Sequence, residues 1–375
     1  MNEWKEYELG DICSRLSSGK SIRAAMISDS AEYAVYGGNG IRGYTSDYNF
    51  VGDCAIIGRQ GAYCGNVRFF RGKAYMTEHA VVACANDEHN TRYLSYVLSA
   101  MGLGRLSGQS AQPGISVKTL SIQKIKMPPL AIQEKIVAVI SALEDKIELN
   151  TAINENLEQQ AQALLKEFMN RYNYSLAPLS EISEVIDCLH SKKPERVYDS
   201  NRQLLQLENI KDNGFLDLSY QFMISESDYN NWTRKCEIHE GDCVITNVGR
   251  IGAVAQAPRD TNVAMGRNMT CIRLKPQYKI PAFLITVLLS EHMKREIRYN
   301  TDEGTIMGAL NVKNIPKLQF PFFEEKVMYE LENILYVIRK QFEENSLQNQ
   351  RLAALRDTLL PKLMSGEIDV SQVKI

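Results

Sequence analysis

Gly52-Asp53-Cys54-Ala55-Ile56-Ile57 and Gly241-Asp242-Cys243-Val244-Ile245-Thr246 are one phrase written twice in the same chain. A Gly- and Arg-containing turn follows each copy: Gly58-Arg59-Gln60-Gly61 in the first, Val248-Gly249-Arg250-Ile251-Gly252 in the second. The likeness continues outward. Leu9-Gly10-Asp11-Ile12 matches Leu179-Ser180-Glu181-Ile182, and Val117-Lys118 recurs as Val312-Lys313. A Pro-containing stretch comes next in both halves, Met127-Pro128-Pro129-Leu130 and Phe320-Pro321-Phe322, and then Glu134-Lys135-Ile136 recurs as Glu325-Lys326-Val327. An internal repeat of this length makes each copy one structural unit. The expected order is domain, helix, domain, helix, over residues 1–130, 131–171, 172–321 and 322–375.

Within each repeated domain the pattern predicts short strands between Gly-rich turns: Ala55–Ile57, Val67–Phe70, Ala80–Cys84, Val244–Thr246 and Thr270–Leu274. Thr91–Met101 and Pro281–Ile297 read as helices. The mixture predicts an α+β fold. The two long helices carry apolar residues at 4-3 spacing, which is a coiled-coil seam. The first seam runs Ile136, Ile140, Leu143, Ile147, Asn150, Asn154, Leu157, Ala161, Leu164, Phe168. The second runs Val327, Leu331, Ile334, Ile338, Gln341, Asn345, Gln348, Leu352, Leu355, Leu359. Buried amides need one another. Setting Asn150 against Asn345 and Asn154 against Gln341 gives an antiparallel pair with one polar mismatch, Gln348 against Ile147; parallel packing pairs the amides equally well, and connectivity favours the antiparallel arrangement. The expected architecture is two similar recognition domains separated by two long α-helices packed as an antiparallel coiled coil, with a pseudo-twofold repeat.

Composition excludes several classes of function. No apolar run is long enough to span a membrane, and the N-terminus has no apolar signal core, so a cytoplasmic protein is expected. The eight cysteines form no Cys-x-x-Cys pair and the five histidines no pair at zinc spacing, which predicts reduced, packed thiols and no metal. Gly38-Asn39-Gly40-Ile41-Arg42-Gly43 fits GxGxxG, but turn residues follow where a dinucleotide fold needs a helix. There is no GxxxxGK[ST] loop, no Asn/Asp-Pro-Pro-aromatic loop to hold a target amine, no carboxylate–Lys cluster of a nuclease, and no GxSxG elbow. The chain reads as a binder with no cofactor of its own, not an enzyme.

The formal net charge is −2, so affinity for nucleic acid must come from local patches. Residues 1–130 carry 14 Lys+Arg against 11 Asp+Glu, whereas the two helical segments are acidic. Polar side chains on Gly-rich loops are the candidates for reading double-stranded DNA, because Arg and Lys match guanine's major-groove edge and Asn and Gln match adenine. They are Arg59 and Gln60; Asn247 and Arg250 on the matching loop; His79, Arg267 and Asn268 just before a repeated strand; and Gln109 and Gln112. Lys20, Arg23, Lys192 and Lys193 are candidates for phosphate contacts.

Several of these stretches resemble the specificity subunits of type I restriction–modification systems. Tyr36-Gly37-Gly38-Asn39-Gly40-Ile41-Arg42-Gly43-Tyr44, Ile57-Gly58-Arg59-Gln60-Gly61 and Cys64-Gly65-Asn66-Val67 are similar to that family's target-recognition signature. Gln112-Pro113-Gly114-Ile115-Ser116, the run from Met127 to Ile136, and the ending Leu359-Leu360-Pro361-Lys362-Leu363-Met364-Ser365-Gly366 resemble its junctions. In the second half Gly308-Ala309-Leu310-Asn311 departs from the Gln-Pro-Gly-Ile-Ser pattern. The resemblance implies two modification (methyltransferase) subunits as partners, which hold the methyl donor and methylate adenine, and restriction subunits that add an ATP-dependent nuclease. A stand-alone DNA-binding scaffold or regulator is the alternative; it would bind tightly with no partner.

Overall fold

In the computed structural model the described residues are 4–61, 63–107, 114–302 and 308–370. They form two compact units. One is built from residues up to Asp145 together with the segment from Ala353, the other from Lys146–Leu352. Among the described residues no helix is long and apolar enough to cross a membrane.

The first unit holds β1 (Lys5–Glu8), α1 (Leu9–Ile12), β2 (Cys13–Ser18), β3 (Tyr33–Gly37), β4 (Gly40–Thr45), β5 (Phe50–Gly58), β6 (Val67–Met76), β7 (Ala80–Ala85), α2 (Thr91–Ala100), α3 (Val117–Ser121) and β8 (Lys124–Met127). The main sheet has the order β2-β7-β5-β6-β3-β4, and β1 pairs separately with β8. The phrase that decides the fold is the central strand. Ala55 and Ile57 face one core with α2; Cys54 and Ile56 face a second core with Met76 and Val82. Both faces are buried, so the run is apolar without alternation. Asp53 meets Arg71 on the neighbouring strand through two bonds, 2.8 and 2.7 Å.

This sheet is sharply curled. Ala74 pairs with Phe50 at one end of β5 and Ala80 with Gly58 at the other. A flat strand would hold those ends about 26 Å apart at roughly 3.3 Å per residue. The chain from Ala74 to Ala80 reaches only about 21 Å at roughly 3.5 Å per residue. Along these strands Gly52 and Gly72 are direct cross-strand partners, both at positive φ (116° and 126°), a conformation that favours glycine.

The second unit holds β9 (Tyr174–Pro178), β10 (Ser183–Asp187), β11 (Arg202–Gln203), β12 (Met223–Ile224), β13 (Glu237–His239), β14 (Cys243–Thr246), β15 (Val254–Gln256), β16 (Asn262–Ala264), β17 (Met269–Leu274), β18 (Thr301–Asp302), β19 (Ala309–Leu310) and β20 (Gln319–Phe323). Its sheet order is β10-β17-β14-β15. The repeated phrase is again an inner strand buried on both faces: Cys243 and Ile245 enter one core, Val244 another. Asp242 meets Arg273 at 2.8 and 2.5 Å, as Asp53 meets Arg71. The short helix Glu226–Trp232 follows β12 directly in sequence. The single helix expected over Pro281–Ile297 is two helices, Pro281–Leu289 and Glu291–Tyr299. Ser290 divides them: its extended backbone ends the first, and its Oγ accepts from the Met293 N–H to cap the second.

The two long helices span Leu130–Arg171 and Glu325–Ser365. Within the second unit they run antiparallel. Asn345 Nδ2 donates to Asn154 Oδ1 (2.9 Å), Asn150 Nδ2 donates to Gln348 Oε1 (2.7 Å) and Asn349 Oδ1 (2.9 Å), and Arg339 lies 3.4 Å from Glu158. The amides do meet, but about one helical turn away from the expected register. The shift removes the Gln348–Ile147 mismatch by giving Gln348 to Asn150. The buried face of the second helix also differs by one residue: Met328, Leu335 and Phe342 are buried, whereas Ile334 is 39% exposed and Gln341 is exposed. The helix serves its own recognition domain as well as its partner helix. Phe342 meets Phe215 with ring centroids 6.4 Å apart, and Leu335 lies in the core of Phe283 and Phe320.

Candidate nucleic-acid interface

In the first unit β5 runs out at Gly58, and the next two residues are Arg59 and Gln60. Three main-chain contacts pin this loop. Arg59 N–H donates to the His79 carbonyl (3.0 Å), Ile115 N–H donates to the Arg59 carbonyl (2.9 Å), and Gln60 bridges to Gly114. The Gly38 turn between β3 and β4 is pressed onto the same loop. A Cβ on Gly58 would lie 2.3 Å from the Gly38 carbonyl oxygen, so only glycine fits. The GxGxxG match is therefore a hairpin turn.

On this edge Gln60 is exposed and its Oε1 lies 3.0 Å from His79 Nδ1. Arg59 is half-buried, and its Nη1 donates to Ser18 Oγ at 3.3 Å. Lys20 is exposed, and its main-chain N–H holds the Met76 carbonyl (2.9 Å). Arg23 is exposed before a short 3-10 turn at Ala24–Met26. Arg42 and Arg68, which sequence spacing alone does not single out, belong to the same place. The Arg42 stem covers Gly37, and Arg68 Nη2 reaches the Asn39 carbonyl at 3.4 Å. Burial pushes the Tyr36 phenol above its ordinary range, with Arg68 pulling the other way; it stays a neutral donor. Gln109 and Gln112 lie outside the described residues.

The second unit repeats the frame. Asn247 N–H donates to the Asn268 carbonyl (2.8 Å), and Leu310 N–H donates to the Asn247 carbonyl (2.9 Å). Arg59, His79 and Ile115 thus correspond to Asn247, Asn268 and Leu310. The side chains do not correspond. Asn247 is buried, its Nδ2 donating to the Leu310 carbonyl (3.1 Å) and its Oδ1 accepting from Thr270 Oγ1 (3.0 Å). Its amide holds the domain together, and base reading by Asn247 is set aside. Arg250 is tied to the Ile210 carbonyl (2.8 Å) and to Asp212. Those bonds turn it onto the 207–217 loop; a base-reading role would require releasing them.

Arg267 and Asn268 are exposed, Asn268 at φ 63°. With Lys193 and Trp232 they line a cleft of about 410 Å³. Lys192 is exposed beside it in sequence. Lys193 Nζ stands 4.2 Å from the centre of the Phe222 ring, an arrangement that sequence spacing does not reveal. At the foot of this loop Asp187, Cys188 and His190 bring a carboxylate, a thiol and an imidazole within 4.8 Å of one another. His190 Nε2 lies 2.8 Å from Asp187 Oδ2. Burial pushes the Cys188 thiol up. These are donors of the kind zinc uses, gathered where adjacent sequence positions gave no such signal.

The chain also resembles known proteins. The family described as Type I restriction modification DNA specificity domain matches residues 1–159. The specificity subunit of the type I restriction enzyme EcoprrI from Escherichia coli is 38% identical over 146 residues, which cover 38% of this chain and 36% of that relative. The HindI specificity subunit of Haemophilus influenzae is 22% identical over 330 residues, covering 68% of this chain and 71% of that one. The S subunit of the type I restriction–modification system from M. genitalium has a solved structure with TM-score 0.64 at 16% identity, covering 96% of each chain, and so shares the fold. Residues 1–159 thus match the type I restriction–modification DNA specificity domain, and the chain as a whole shares the fold of a type I S subunit.

Proposed function

We propose that this chain reads DNA for a type I restriction–modification assembly, recognising a target in two parts and positioning adenine-methylating modification subunits on it. One observation carries the reading. The same main-chain frame recurs in both halves, Arg59–His79–Ile115 and Asn247–Asn268–Leu310, yet each frame presents different side chains. Two frames with different side chains imply two base blocks that differ. In the first, Arg59 and Gln60 supply donors and acceptors suited to guanine and adenine edges. In the second, Arg267 and Asn268 do so. Lys20, Arg23, Lys192 and Lys193 take phosphates.

The recognition domains are taken as residues 1–130 and 172–321, with spacer helices in 131–171 and 322–375. Methyl transfer belongs to two modification subunits, which turn the target adenine out of the duplex; restriction subunits complete the nuclease. This chain is non-catalytic and acts in the cytoplasm, where its partners and DNA meet. Sequencing of methylated bases in the host, with and without the gene for this chain, tests the proposal. The expected result is an adenine motif of two short blocks around an unspecified spacer that disappears with the gene. A single contiguous motif, or methylation unchanged by the deletion, overturns it.

A further inference from the structure

The loop that follows β10 carries Lys192, Lys193, Arg196 and Tyr198. Tyr198 is 90% exposed, the most exposed large apolar or aromatic side chain among the described residues. A lone exposed ring is ordinary on a protein surface, but this one is mounted. The Val197 N–H donates to the Met223 carbonyl (2.9 Å), Arg196 Nη2 donates to the Gln221 carbonyl (2.5 Å), and Ser200 Oγ donates to the Ile224 carbonyl (2.6 Å). One main-chain and two side-chain bonds thus tether the segment on both sides of Tyr198. Cations and rings then alternate. The Arg196 guanidinium lies 5.7 Å from the Tyr198 ring centre and 5.9 Å from that of Phe222, and Lys193 Nζ lies 4.2 Å from Phe222. Lys193 also lines the cleft of Arg267 and Asn268. The ladder therefore runs unbroken from the cleft to the exposed ring.

We infer that Tyr198 is a stacking residue: it enters the duplex beside the base block read by the second unit and lies against a nucleobase at the step it opens, while Lys193 and Arg196 hold the flanking phosphates. The inference rests on the DNA-reading assignment above. Its physical basis is that an aromatic face stacks on any base, whereas flanking cations supply charge that salt screens. A ring carried on a tethered segment loses less freedom on insertion than one on a free loop. Apolar wedges of this kind also kink the duplex. Nothing in the frame of Asn247 requires Tyr198, so it is separable from the fold.

The test uses the full-length chain with its modification subunits and a 30-base-pair duplex carrying the motif found in host DNA. Tyr198→Ala should weaken binding about 5- to 150-fold and leave the slope of log K against log salt unchanged. Arg196→Gln should lower that slope. Tyr198→Phe should bind like wild type. Tyr198→Trp adds a fluorophore to the two native tryptophans, and its added emission should be quenched on the duplex. Equal binding by Tyr198→Ala, or added emission that the bound duplex leaves unquenched, overturns the stacking role while the DNA-reading assignment stands. No binding of the duplex by the wild-type assembly overturns both.

Discussion

Arg59 and Asn247 hold the same place in the two frames, yet substitution should separate them. Arg59→Ala removes a half-buried guanidinium whose side-chain bond is a single 3.3 Å contact to Ser18. It should relax specificity in one base block, by about 1–3 kcal/mol, and leave folding nearly unchanged. Asn247→Ala instead strips partners from Thr270 Oγ1 and the Leu310 carbonyl inside the domain. It should lower stability by about 1–3 kcal/mol in urea unfolding, and the methylation motif of the folded fraction should be unchanged. A motif altered by Asn247→Ala with unfolding unmoved contradicts that division. The sequence placed the two residues on corresponding loops. It did not reveal that Asn247 turns inward, because its partners lie 23 and 63 residues away along the chain. For the same reason Arg42 and Arg68 escaped notice: their place depends on a hairpin turn meeting a distant loop.

At the level of elements, both long helices and their amide layer were legible, since 4-3 spacing and polar seam positions are local patterns. The register was not, because an antiparallel amide layer closes almost equally well one turn along. The recognition domain decides it by burying Leu335 and Phe342. That burial brings Arg339 into the interior, 3.4 Å from Glu158, with its guanidinium 4.4 Å from the Phe342 ring centre; burial pulls its pKa down. Removing one partner of such a pair leaves a charge uncompensated. Glu158→Ala should lower stability by about 3 kcal/mol in urea unfolding, and Arg339→Met in that background should recover most of the loss. No recovery would mean that the Arg339 contacts, not its charge, hold the layer. Glu332 on the same helix accepts from the N–H groups of Ala282 (3.2 Å) and Phe283 (2.6 Å). Burial raises its pKa from 4.5 to about 7. The folded chain therefore keeps a proton that the unfolded chain releases. The stability this proton contributes is full below about pH 4.5 and lost as pH rises toward 7. The stability advantage of wild type over Glu332→Gln should accordingly shrink between pH 5 and 8; an advantage that grows with pH would contradict it.

For the molecule as a whole, a net charge of −2 leaves DNA affinity to local cations. Lys192→Ala should weaken binding to all sequences alike and lower the salt slope by about one, measured on the assembled complex at several salt concentrations. A loss confined to one motif would make Lys192 a base reader. The two-domain plan was the most legible feature of all, because a repeated phrase survives without any knowledge of packing. Main-chain bonds join the frame within each domain, 59 to 79 and 115, 247 to 268 and 310, and in the second domain the Asn247 amide adds to them. Main-chain bonds are indifferent to which residue supplies them, proline apart. Arginine and asparagine already occupy one such position, histidine and asparagine another. Heredity therefore has room to experiment here. Mutation can change the exposed side chains around these bonds without dismantling the scaffold.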